Sequence, residues 1–198
     1  MDIYRILFTS AFLIVFITVS RYRSKAQAGE KFDTSQEGWI YIPLRLFGLA
    51  IWGYCFVYII NPNWLRWAEF SLPDWVRWTA AIVGILFVPP LIHWAQKSLG
   101  RNVSTTVIIR KEHELITHGP YRWIRHPLYT IGATFFLSLA LISGSWFLLA
   151  AMALGLPLLL ARTPIEEARL LAEYGDEYRA YVNRTGRFFP KLFRTAKG

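Results

Sequence analysis

Long apolar runs alternate with short basic segments along this chain, and the runs have the lengths of bilayer crossings. A helix needs roughly 20 apolar residues to span the hydrocarbon core, and residues 3–20, 42–60 and 75–95 each meet that requirement. The runs 128–142 and 146–161 are shorter and are separated only by Ser143, Gly144 and Ser145. So short a connection joins antiparallel neighbours, which predicts a helical hairpin. The pattern therefore predicts an all-α, polytopic membrane protein with about five transmembrane helices. Beyond the fifth run, Ala168, Leu171, Tyr174, Tyr178 and Tyr181 recur at helical spacing, while Glu173, Asp176, Glu177 and Arg179 take the other face. This predicts an amphipathic C-terminal helix, starting near Pro164, that lies on the membrane or caps the bundle. No repeat or low-complexity tract divides the chain, so residues 1–198 read as one membrane domain. Three helices occupy 1–97; a polar loop, the hairpin and the amphipathic helix occupy 98–198.

Local residues refine this picture. Pro89-Pro90 and Pro157 fall inside predicted crossings, where each removes a backbone donor and crowds the preceding turn, so kinks are expected there. Trp39, Trp64, Trp67, Trp75 and Trp94 stand at the ends of runs, where amphipathic rings meet headgroups. Five crossings put residues 21–41, 97–127 and 162–198 on one side, with 4, 6 and 8 lysines and arginines, 18 of the 22 in the chain. Arg5, Arg45, Arg66 and Arg77 are the remainder. The positive-inside rule then predicts an external N-terminus and a cytoplasmic C-terminus.

Composition excludes several function classes. With 54% hydrophobic and 17% aromatic residues, the chain is not an ordinary soluble domain. Its net charge of +9 suits anionic lipid headgroups rather than nucleic acid, because the basic residues flank hydrocarbon-length runs. The lone Cys55 supplies neither a disulfide framework nor a thiolate cluster. Ala26-Gln27-Ala28 has the form of a signal-peptide cleavage site, but Arg21, Arg23 and Lys25 follow the apolar run instead of preceding it. An uncleaved first helix is the expectation. The sequons at Asn102 and Asn183 fall on the predicted cytoplasmic side and are read as unglycosylated.

Candidate chemistry gathers in the loop before the fourth run and just past the fifth. Residues 105–121, "TTVIIRKEHELITHGPY", are rich in β-branched side chains and end in Gly119-Pro120, which predicts an extended segment closing in a turn. Arg125-His126-Pro127 leads into the fourth helix, and Arg162, Glu166 and Glu167 follow the fifth. A short hairpin returns the chain to the side it left, which brings these residues toward His126 and Tyr129. Each has a plainer alternative: an arginine at a helix end anchors headgroups, and glutamates near a helix start complement its dipole. No pair among His113, His118 and His126 has the i, i+4 spacing of a helical metal site, so no metal is expected. No glycine-rich nucleotide loop occurs.

At these residues the chain resembles the isoprenylcysteine carboxyl methyltransferase family, and is similar to its small prokaryotic members. The resemblance rests on "HELITHGPYRWIRHPLY" (113–129), "RTPIEEARLLAEYGDEYRAY" (162–181) and "TGRFFP" (185–190), about the C-terminal half. Some sterol reductases share a related C-terminal pattern. The resemblance implies that S-adenosylmethionine lies against His113, Glu114, Leu115, Ile116, Tyr121, His126, Pro127, Leu128 and Tyr129. It further implies that Glu166 holds the cofactor from the second stretch, with Glu167 as the adjacent alternative, and that Arg162 holds the substrate carboxylate. Arg162 and Glu166 are the implied catalytic pair. Gly132 follows Tyr129 by three positions, a wider spacing than in many relatives.

The residue types suit methyl transfer from a sulfonium, an in-line displacement that requires alignment and exclusion of water. Aromatic faces and carboxylates accommodate the cation. A carboxylate acceptor is already ionised at neutral pH and needs a cation to hold it, which an arginine provides with two parallel hydrogen bonds. The expected acceptor is a prenylated cysteine or similar lipid-like carboxylate, entering from the membrane lipids to a cytoplasmic-side site. An amine acceptor, as in a phospholipid methyltransferase, requires a base instead. A nicotinamide-dependent membrane reductase and a noncatalytic lipid-binding protein are the remaining alternatives.

Overall fold

The computed structural model describes residues 2–26, 41–100 and 114–191. Trp39, the Asn102 sequon, His113 and residues 105–113 of the predicted extended segment lie outside the described residues. The apolar runs form α1 (Ile3–Ala26), α2 (Tyr41–Ile60), α3 (Asp74–Ile82), α4 (Val88–Leu99), α5 (Pro127–Ser143) and α6 (Trp146–Arg184). A π-helical turn, Val83–Phe87, joins α3 to α4, and 3-10 helices occupy Pro62–Ala68 and Gly119–Arg122. Among the described residues the only β pairing is two isolated bridges. Ile3–Tyr22, Ile42–Ile60, Asp74–Leu99 and Trp146–Arg184 are long and apolar enough to cross a membrane, and the 17-residue α5 is a shorter apolar helix. The architecture is an all-α polytopic membrane protein.

The apolar helix α5, shorter than the four long spans, lies at the centre. At about 1.5 Å per residue α5 is about 25 Å long, and it packs against α1, α3, α4 and α6. Phe8 and Phe12 of α1, Leu139 and Ile142 of α5 and Leu148 of α6 are fully buried around it. The outward faces stay apolar: Leu46, Leu49, Leu86 and Leu154 are between 63% and 68% exposed. In water such surfaces would be a liability; in lipid they meet their own solvent, so helix association rests on packing and hydrogen bonds.

At the end of the bundle away from the polar loop, arginines tie helix termini together. Arg5 donates from Nε (3.0 Å) and Nη2 (2.6 Å) to the Ile59 carbonyl and from Nη2 to that of Ile60 (2.6 Å), covering the exposed end of α2. Arg77 donates to the Ile142 carbonyl at the end of α5 at 2.9 Å and lies over the Tyr4 ring. The Tyr4 hydroxyl bonds Asp74. Thus two of the arginines outside the three basic segments are structural ties. Trp64, Trp67, Trp75 and Trp94 are exposed, as expected of rings at run ends.

The prolines lie within continuous helices. Upstream of Pro89-Pro90 the helix widens into the π turn, where Val88 N–H bonds the Val83 carbonyl five residues back. The wider turn accommodates the loss of two consecutive donors within one continuous span. Nor does α6 restart at Pro164: it runs unbroken past Pro157 and Pro164, and its backbone departs from helical geometry only at Gly175 (φ 49°, ψ −120°). One missing donor does not stop a helix whose next turn is held by another segment. The apolar face predicted beyond Pro164 is consequently split. Ala168 and Leu171 are exposed, whereas Tyr178 and Tyr181, beyond the break, are buried.

The hairpin is as tight as its three residues demand. Gly144 ends α5 in the left-handed conformation (φ 62°, ψ 39°), its N–H directed to the Ala140 and Leu141 carbonyls, and the Ser145 side chain accepts from Leu148 N at 3.2 Å to cap α6. A Cβ on Gly144 would stand 2.6 Å from the Phe70 carbonyl oxygen. Gly144→Ala is therefore expected to cost more than about 1 kcal/mol, read as a lowered unfolding midpoint in detergent; an unchanged midpoint contradicts this account of the turn.

Candidate functional site

The site is assembled where α5 begins and α6 emerges from its apolar run. Gly119–Arg122 forms the 3-10 turn that the Gly-Pro pair predicted, and Pro127 occupies the first turn of α5. Between them Ile124 pairs in parallel with Gly186. Arg125 N–H bonds the Gly186 carbonyl at 2.9 Å, His126 N–H bonds that of Arg187 at 3.0 Å, and Gly186 N–H bonds that of Trp123 at 3.0 Å. These bonds satisfy backbone groups of a loop that has no helix of its own. Tyr181 donates to the Tyr121 carbonyl at 2.7 Å, and Thr130 to the Phe188 carbonyl at 2.8 Å. The segment after Gly175 is thereby strapped across the loop before α5.

Two adjacent carboxylates on α6 face this loop and are partnered differently. Glu166 Oε1 accepts from the Tyr129 hydroxyl at 2.6 Å and lies 3.0 Å from Arg162 Nε, one helical turn earlier. Its Oε2 lies 3.5 Å from His126 Nδ1. Glu167 Oε1 accepts from Arg125 Nε at 2.9 Å and Arg187 Nε at 3.1 Å, and lies 3.3 Å from His126 Nε2; Arg187 Nη2 bonds its Oε2. Arg125 also donates to the Thr185 carbonyl at 2.6 Å. His126 thus bridges both carboxylates, its ring stacked on Tyr129 (centroids 5.4 Å apart) and tilted against Phe188 (5.9 Å).

Electrostatics follows from these contacts. Burial alone would raise the carboxyl of Glu167, but hydrogen bonds from Arg187 and Arg125, and their charges, outweigh it and hold the group at about 2. Burial pushes the His126 imidazole below its ordinary 6.5, and the pull of Glu166 and Glu167 in the other direction does not overcome it. The balance favours the neutral imidazole.

The expected cofactor residues divide into groups. His126, Tyr129, Arg162, Glu166 and Glu167 meet in one cluster. Pro127 is buried in the first turn beneath it, and Leu128 and Ile116 pack on the core. Tyr121 is also buried and meets the strap through its backbone carbonyl. Glu114, exposed, and Leu115, half-buried, belong to a stretch without regular secondary structure that precedes the turn. Gly132 faces open space one turn from Tyr129. Reading the sequence assigned no part to Arg125, Arg187 or Phe188, although the first lies in the His126 motif and the others in "TGRFFP". The available signal was the pair Glu166-Glu167: two carboxylates at a membrane edge require cations from elsewhere in the chain. Among the described residues, no three His, Cys, Asp or Glu side chains gather to hold a metal.

The fold and the polar cluster at the end of its central hairpin define the class: a multi-pass helical membrane protein. Residues 80–172 match the isoprenylcysteine carboxyl methyltransferase (ICMT) family, and this match supports a membrane protein of that family. Two similar proteins are the cobalt-zinc-cadmium resistance protein CzcN of Cupriavidus metallidurans and the nickel-cobalt-cadmium resistance protein NccN of Alcaligenes xylosoxydans xylosoxydans. Each is 37% identical over 83 residues, 42% of this chain and 38% and 39% of those proteins. The uncharacterized protein YpbQ of Bacillus subtilis is 35% identical over 54 residues, 27% of this chain and 32% of that protein. The chain thus spans about two fifths of the length of the first two relatives.

Because the Glu167 carboxyl titrates lower in the folded chain than its ordinary 4.5, its contribution is fully present above that pH. It is lost as pH falls from 4.5 toward about 2. Hydrogen exchange should accordingly show the amides of Arg125, His126 and Gly186 losing protection across that window. Protection that is unchanged down to pH 2 contradicts the clamp.

Proposed function

We propose that this protein transfers a methyl group from S-adenosylmethionine to the carboxylate of a prenylated cysteine or a similar lipid-like acid, at the cytoplasmic face of a membrane. The observation that carries the reading is the meeting of Arg162, Glu166, Tyr129 and His126 at the mouth of the central hairpin. The donor set fits the cofactor. An anionic Glu166 oxygen beside stacked His126 and Tyr129 rings suits a cationic ligand, and none of these groups repels a sulfonium. His126, Tyr129 and Glu166 would hold it, with Tyr121 and the 114–116 stretch alongside. Bound S-adenosylmethionine supplies a methyl group made electrophilic by a positively charged sulfur.

The chain's own part is placement. Glu166 pairs in charge with the Arg162 guanidinium one helical turn away, and Arg162 in turn holds the acceptor carboxylate in line. No base is required, because the acceptor is already ionised at neutral pH. An apolar tail stays in lipid beside α5 and α6 while its acidic head reaches Arg162. The positive-inside distribution of lysine and arginine supports a cytoplasmic location for this end of the bundle. The resistance named for two relatives belongs to those proteins.

A neutral His126 beside a carboxylate also favours a second reading, an amine acceptor whose proton His126 removes. Incubation with methyl-labelled donor and a farnesylated cysteine analogue separates the two: the leading reading gives a base-labile methyl ester. Donor binding without ester, together with methylated headgroups in the lipids of expressing cells, supports the amine instead. For the leading reading, Arg162→Ala should lower turnover by at least about a hundredfold, the scale for unpairing a partly buried charge. Tyr129→Phe, which removes one charge-assisted hydrogen bond from Glu166, should weaken donor binding roughly tenfold. Wild-type turnover in both variants contradicts these assignments.

A further inference from the structure

The neighbouring glutamates differ in one respect that bears on the site. Glu166 faces the tyrosine and arginine of the proposed donor and acceptor positions, whereas Glu167 is enclosed by Arg125, Arg187 and His126. The Glu167 side chain is 13% exposed, and both its oxygens already accept from guanidinium groups. A carboxylate so engaged is a poor ligand for an incoming cofactor, because binding would require breaking charge-assisted bonds. Its remaining contact is the Nε2 of His126, at 3.3 Å.

We propose, resting on the methyltransferase reading, that Glu167 is a positioning residue: held by Arg125 and Arg187, it accepts a hydrogen bond from the Nε2–H of His126 and so leaves Nδ1 as an acceptor facing the ligand site beside Glu166. A neutral imidazole carries one proton, and the hydrogen bond made by one nitrogen determines the character of the other. With Nε2–H donating to Glu167, the Nδ1 lone pair and Glu166 Oε2, 3.5 Å apart, are two acceptors side by side. Such a pair recognises a ligand N–H or ammonium, the group at the amino-acid end of the proposed donor. Tyr129 stacks on the ring and Phe188 lies tilted against it, so the ring is packed by two aromatic side chains while the carboxylates face its nitrogens. The groups that set the charge of His126 are Glu166 and Glu167 from α6, which favour its protonation, and Arg125 from its own loop, which opposes it. Arg187 from the strap and Arg162 from α6 act through the glutamates they hold.

Nuclear magnetic resonance of histidine-15N-labelled protein in detergent micelles tests this without reliance on turnover, His126→Gln identifying the His126 signals. Wild type should show the Nε2–H tautomer. Glu167→Ala should give a mixture of tautomers, and Glu167→Gln, whose carbonyl still accepts, should restore the single one. In both variants the midpoint of His126 titration should fall, because a negative neighbour has been removed. Should Glu167→Ala fail to fold, the midpoint in Glu167→Gln decides alone. A His126 tautomer and midpoint identical to wild type in the folded variants overturn the inference. Binding of S-adenosylhomocysteine, measured on the same samples, separates the two levels: a wild type with the fixed tautomer and no affinity for that ligand overturns the methyltransferase reading and leaves the positioning role standing.

Discussion

Two carboxylates at the edge of a bilayer have to be paired or they will not stay charged, and that constraint organises the functional end of this protein. Moving an ionised carboxylate from water into a poorly solvated site costs several kcal/mol. Glu166 and Glu167 lie side by side on α6, so their partners have to come from more than one direction. The chain supplies Arg162 from the same helix, Tyr129 from α5, Arg125 and His126 from the loop before α5, and Arg187 from beyond the Gly175 break. Satisfying the two glutamates therefore draws together segments that are distant in sequence. The same contacts assemble a cluster with the right charges for a cationic ligand and an acidic one. Stability and site geometry share their atoms here.

Much of the fold was legible because hydropathy in lipid is a strong and nearly one-dimensional signal. The five apolar runs, the tight hairpin and the turn at Gly119-Pro120 all follow from run length and from the geometry of glycine and proline. What was misjudged depended on tertiary support. Pro164 reads as a helix start when considered locally, yet the helix continues because the turn carrying Glu166 and Glu167 is held from outside. The Gly175 break, by contrast, carries no local mark that distinguishes it from other glycines in the chain, and it reorients the tyrosines toward the loop. Pro89-Pro90 was recognised as a disturbance, but a π turn was not inferable from two prolines alone.

The candidate site was legible in outline for a different reason. A three-residue hairpin forces its outer ends together, so the meeting of His126 and Tyr129 with Arg162 and Glu166 follows from topology. The division of labour between the two glutamates does not, since adjacent residues on a helix differ only in the direction they face. Arg187 and Phe188 are reached through the strap, whose path is set by backbone bonds between residues about 60 positions apart. Such pairings leave no periodic trace.

The family match over residues 80–172 and this geometry bear on each other without being the same finding. The matched stretch contains His126, Tyr129, Arg162, Glu166 and Glu167, while Arg187, which completes the clamp, lies beyond it. The account's central claim is that the Glu166 side of the cluster receives a sulfonium-bearing nucleoside. Calorimetric titration of the purified protein with S-adenosylhomocysteine, comparing wild type with Glu166→Gln, tests it most directly. Saturable binding by wild type that weakens at least about tenfold in the variant is the predicted result. Equal affinity in the two proteins, or none in either, contradicts it.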